Sequence, residues 1–78
     1  MSNPDRILQR LRRLPPEARR RDVLTLVQSL GWKVTKGAGD HVNVQRPGSP
    51  IIVTLGDETV KRYQLRQLLK EIDGGGGQ

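Results

Sequence analysis

The chain has 78 residues, 33% of them hydrophobic and none of them Phe, enough for one small core of Leu, Val and Ile and too little to enclose a large cofactor. Its 14 Lys and Arg against 8 Asp and Glu leave a net charge of +6, which favours a polyanionic partner, nucleic acid before an acidic protein. The lack of cysteine and the single histidine exclude disulfides, thiolate metal sites and a cysteine nucleophile and argue against structural zinc, so no cofactor is expected.

Residues 3–14 read as a helix. Asn3 suits the N-cap, Pro4 the first helical position and Asp5 the positive end of the dipole. Ile7, Leu8, Leu11 and Leu14 recur at helical spacing among Arg6, Arg10, Arg12 and Arg13, which read as a solvated face. Pro15 and Pro16 end the segment, so residues 1–16 are expected to be an N-terminal helical extension appended to the core. No apolar run there is long enough for a signal peptide or a membrane span, and a cytoplasmic protein is the simplest expectation.

A second helix is expected from about Glu17 to Leu30, with Val23, Leu24, Val27 and Leu30 as its apolar stripe and Leu26 beside it. Gly31 stands where a left-handed C-cap belongs. Arg19, Arg20 and Arg21 crowd the wrong end of this helix for its dipole, a charge that a phosphate or Asp22 would offset.

Three strands follow. Trp32 to Lys36 and His41 to Arg46 alternate apolar with polar residues, and Pro50 to Leu55 is largely β-branched. Gly37, Ala38, Gly39 and Asp40 form the first break, and Pro47, Gly48, Ser49 and Pro50 the second, both of hairpin length. Alternation puts His41 with Asn43 and Gln45 on one face, and Val42 with Val44 on the other.

The last helix is expected from Thr59 or Val60 to Ile72. Leu65, Leu68, Leu69 and Ile72 face the core, and Arg62, Arg66 and Lys70 repeat every four residues as a basic stripe. The fold class is therefore α+β, a three-stranded antiparallel sheet with helices on one face and the other face open. Residues 17–73 would form the domain, and residues 74–78 a flexible glycine tail.

No Gly-x-Ser-x-Gly elbow occurs, and a strand, not a helix, follows Gly39, which excludes a phosphate-binding loop of the nucleotide-binding folds. RNA cleavage asks less of a protein, because the 2′-hydroxyl is an internal nucleophile. One histidine can move protons, and loop amides with a Lys or Arg can stabilise charge on phosphorus. His41, the glycine loop and Lys36 before it meet that minimal requirement. A surface histidine with no chemistry fits the same spacing.

Leu30-Gly31-Trp32, then Gly37-Ala38-Gly39-Asp40-His41-Val42, then Arg62-Tyr63-Gln64-Leu65-Arg66-Gln67, together resemble the HicA (YcfA-like) family of toxins from prokaryotic toxin–antitoxin pairs. The resemblance covers residues 21–72 and implies a fold like that of double-stranded-RNA-binding domains. It further implies a metal-independent endoribonuclease that cleaves mRNA and is held inactive by a HicB-type antitoxin. The family's catalytic histidine falls on His41 and its preceding glycine on Gly39. Three positions depart from the family pattern: Asp40 stands where a serine is usual, Val42 where His or Arg often follows, and Val44 where an aromatic is often found. An aspartate there can orient an imidazole but also repels phosphate. The candidate RNA-binding residues are Lys36, Gly39, Lys61, Arg62, Arg66 and Lys70. Lys36, Tyr63 or water is left as the second proton-transfer group. Trp32 and Tyr63 are assigned to packing first and to base stacking second. The alternative is an RNA-binding module of the same fold without chemistry, and behind it a basic protein that docks an acidic partner.

Overall fold

The computed structural model describes residues 3–56 and 58–74. The glycine tail expected at 74–78 therefore lies outside the described residues except for Gly74. The order is α1 (Pro4–Leu11), β1 (Glu17–Arg19), α2 (Arg20–Ser29), β2 (Lys33–Lys36), β3 (Val42–Gln45), β4 (Ile52–Leu55), β5 (Thr59–Lys61) and α3 (Arg62–Ile72).

Strands β2, β3 and β4 form the expected antiparallel meander. Its register sets Val34 opposite Val44 and Val44 opposite Val53, while Asn43 lies between Thr35 and Thr54. Val44, Val53 and Leu55 are buried on one face, and Lys33, Thr35, Ile52 and Thr54 are exposed on the other. The fold is thus α+β with one open sheet face, of the double-stranded-RNA-binding type.

Strands β1 and β5 were not expected. Both lie inside segments whose apolar spacing reads as helix, yet each enters its helix through a three-residue extended stretch. Glu17 pairs with Lys61, Ala18 with Val60 and Arg19 with Thr59. The amide of Arg20 continues the ladder by donating to Glu58 O at 2.7 Å, and that of Arg62 donates to Pro16 O at 3.1 Å. This pairing across forty residues of sequence leaves no local pattern, which is why helix periodicity hides it.

Helix α1 begins as read, with Asn3 Oδ1 accepting from the Asp5 amide at 2.9 Å. It stops at Leu11 rather than Leu14, which takes a left-handed φ of 52° and turns the chain into Pro15. The helix is no appendage. Ile7 and Leu11 are buried in the same core as Val23, Leu26 and Val27 of α2 and Leu65 and Leu68 of α3. Arg10 and the C-cap Arg12 stay exposed, as a solvated face requires, and each reaches a carboxylate, Asp22 at 3.6 Å and Asp73 at 2.8 Å.

The buried line of α2 is Val23, Leu26 and Val27, with Leu30 44% exposed, so Leu26 takes the place assigned to Leu30. The reason is the end of the helix. Gly31, at φ 80°, donates to Gln28 O, and Trp32 donates to Val27 O, a Schellman closure that swings Leu30 outward and Trp32 in. Trp32 packs as expected, 7% exposed, but Tyr63 is 70% exposed. Tyr63 sits in the first turn of α3 on the side away from Leu65 and Leu68, so packing does not hold it.

Candidate active site

The loop between β2 and β3 is a tight hairpin built for one side chain. The Gly37 amide donates to His41 O at 2.8 Å, and the His41 amide donates to Ala38 O at 3.1 Å. Gly39 sits inside that turn at φ 60°, a left-handed conformation that a residue with a β-carbon rarely adopts. Its part in the site is therefore to shape the turn.

His41 is exposed and stands on the open face of the sheet, as the alternation implies. Its Nδ1 lies 2.9 Å from Ala38 O. A carbonyl oxygen can only accept, so Nδ1 carries the hydrogen, and in the neutral ring Nε2 keeps the lone pair. Asp40 does not orient the imidazole; the Ala38 carbonyl does.

Two glycines flank the ring. A β-carbon on Gly56 would stand 3.0 Å from His41 Nε2 and 3.1 Å from Cδ2, and one on Gly37 would stand 3.3 Å from His41 Cβ. Gly56 follows β4, and Gly37 follows β2, so the ring lies in a slot between neighbouring strand ends. Neither glycine has positive φ, so turn chemistry does not account for them. Their pattern in the sequence says only "break".

The residue that sequence reasoning passed over is Arg20. Its guanidinium NH1 donates to Asp40 O at 2.7 Å and, at the long distance of 3.4 Å, to Leu55 O. These carbonyls belong to the residues just before His41 and just before Gly56. The three-arginine run at 19–21 was a signal, but nothing local said which of the three reaches the histidine loop. A hollow of about 370 Å³ opens among Arg20, Asp40, Gly56 and Glu58.

The other candidates divide into two groups. Lys61 Nζ is paired with Glu17 at 3.2 Å, and Arg62 Nε donates to Leu14 O at 2.8 Å, so both hold the β1–β5 corner together. Lys36, Arg66 and Lys70 are exposed and have no hydrogen-bond or ion-pair partner among the described residues. Lys36 leads into the histidine hairpin, opposite Val42, whereas Arg66 and Lys70 lie along α3. No group of three His, Cys, Asp or Glu side chains that could hold a metal ion occurs among the described residues. Nor is any helix among them long and apolar enough to cross a membrane.

The chain is thus a small α+β domain of the double-stranded-RNA-binding type that presents one histidine on a glycine hairpin. The model of the HicA toxin of bacterial toxin–antitoxin systems matches residues 20–73, and the chain belongs to that family. The match begins at Arg20, the first residue of α2, after α1 and β1. No match was found among curated proteins or among solved structures.

Proposed function

We propose that this toxin is an endoribonuclease that cleaves mRNA with His41 as its general base. The observation that carries the reading is the seat of the imidazole, with Nδ1 tied to the Ala38 carbonyl and Nε2 left as the free nitrogen on an exposed face. In the proposed step, Nε2 takes the proton of a ribose 2′-hydroxyl, whose oxygen attacks the adjacent phosphorus. The bond from phosphorus to the 5′-oxygen breaks, and water returns a proton to that leaving oxygen. The products are a 2′,3′-cyclic phosphate and a 5′-hydroxyl end. The nucleophile belongs to the substrate, so this chemistry draws on no metal. Lys36, Arg66 and Lys70, with what remains of Lys61 and Arg62, would hold flanking phosphates. Messenger RNA as substrate implies a cytoplasmic site of action, and a HicB-type antitoxin is the protein partner that would restrain it.

The test is expression of wild type and His41→Ala under tight induction, with growth and total mRNA followed in both. The expected result is arrest with RNA loss for wild type alone, while the purified variant keeps its fold and its affinity for a non-cleavable RNA. Undiminished cleavage by His41→Ala would sink the catalytic assignment. An inert wild type that still binds RNA would leave the binding-module reading in its place.

A further inference from the structure

We propose that Arg20 is the phosphate-holding residue of the His41 site, an inference that rests on the RNA-directed reading above. A guanidinium carries five N–H donors in a planar fork. Arg20 spends only NH1, on the carbonyls of Asp40 and Leu55. Its Nε and its other terminal nitrogen have no partner among the described residues, and Arg20 lines the hollow shared with Asp40, Gly56 and Glu58. Gly56 is the wall that this hollow shares with the histidine slot, for it is Gly56 that the His41 ring lies against. A phosphodiester seated there would meet a fixed cation in Arg20 and would lie next to Gly56, the residue against which the imidazole rests.

The alternatives along the chain are weaker. Lys61 and Arg62 are engaged at the β1–β5 corner, and Arg66 and Lys70 lie on α3 with free, flexible heads. Arg20 differs in being held by one hairpin carbonyl and one strand-end carbonyl before any ligand arrives, so less side-chain entropy remains to be lost on binding. A second hollow, lined by Arg19, Arg20, Arg21, Leu24, Glu58 and Thr59, adjoins the first through Arg20 and Glu58. It gives a strand leaving the histidine a cationic path toward α2. Glu58 is the one carboxylate side chain of a lining residue in both hollows, and it opposes an anion there. The two residues therefore make predictions of opposite sign.

The experiment measures binding of a short mixed-sequence 2′-O-methyl RNA, which cannot be cleaved, against salt concentration. Wild type, Arg20→Gln, Arg20→Lys and Glu58→Gln are compared, with circular dichroism melts as the fold control. Arg20→Gln is expected to bind about tenfold more weakly at low salt, with a salt slope shallower by about 0.7. Arg20→Lys should recover part of the affinity and Glu58→Gln should bind more tightly than wild type. In wild type, inorganic phosphate should shift the His41 ring resonances, and in Arg20→Gln it should not. Wild-type affinity and slope in Arg20→Gln would overturn the proposal. If Arg20→Gln fails to fold, unchanged binding by Glu58→Gln does the same. Cleavage is not read in this experiment. A wild type that never cuts RNA but shows this pattern loses His41 as a base and keeps Arg20 as a phosphate ligand; a wild type that cuts but shows no such pattern loses only Arg20.

Discussion

The His41 imidazole lies so close to Gly56 that a β-carbon at that position would stand 3.0 Å from Nε2. A single methyl group is therefore enough to move the ring without touching the core. Gly56→Ala is expected to keep its melting temperature within a few degrees, since this glycine has no positive φ. RNA cleavage should fall about tenfold to a hundredfold, the scale of a misplaced catalytic group. Gly37→Ala, whose β-carbon would meet His41 Cβ at 3.3 Å, should fall less. Full activity in Gly56→Ala would mean that the ring position seen here is not the working one.

At the far end of the hairpin from His41, Ser49 Oγ donates to Glu71 Oε1 at 2.9 Å and accepts from the Ile51 amide at 3.1 Å. Both Ser49 and Glu71 are buried, and Arg46 Nε completes the contact at 3.4 Å. Ser49→Ala strips a hydrogen bond from a buried carboxylate, and a loss of about 1–3 kcal/mol is expected in urea unfolding. The histidine hairpin lies at the other end of the sheet, so activity per folded molecule should not change. An unaltered unfolding midpoint would show that solvent replaces the hydroxyl freely.

Ile7 is completely buried between α1 and α2. Ile7→Ala is expected to cost about 2–5 kcal/mol, the range for a truncated core aliphatic. For a chain this short that is a large share of the total stability. A cost below about 0.5 kcal/mol, typical of surface changes, would return α1 to the status of an appendage.

The Arg12–Asp73 contact ties the end of α1 to the end of α3. The hydrogen bond from Arg12 holds the Asp73 carboxyl below its ordinary value, and the same bond raises Arg12 further above its already basic range. A depressed carboxylate contributes stability above its unfolded pKa and loses it as pH falls through the folded value. Asp73→Asn should therefore melt slightly lower than wild type at neutral pH, with the gap closing on the acid side. The pair is exposed and its effect is small. A gap that widened toward acid would contradict the assignment.

Much of this molecule is legible in local chemistry. The meander follows from alternation in Val34, Val42, Val44 and Val53 between two Gly- and Pro-marked turns, because a one-residue slip would turn every core side chain outward and the turns fix the rest of the register. The face of His41 follows from the same alternation, and the core line of α3 from Leu65 and Leu68 at helical spacing. The ends of α2 and α3 were harder. Glu17 to Arg19 and Thr59 to Lys61 extend because they pair with each other, and no window of sequence contains both.

What the chain determined alone is therefore its class, its sheet face and the presence of one histidine on a glycine turn, since these depend on periodicity and backbone preference over a few residues. The tertiary structure decided which groups surround that histidine. Arg20 reaches Asp40 and Leu55, twenty and thirty-five residues away in sequence, and Gly56 becomes a wall of the slot only when β4 lies beside β3. The same is true of Glu71 against Ser49 and of α1 against α2. Contacts between distant segments form only where packing of the whole core brings them together, and periodicity along the chain carries no record of that meeting.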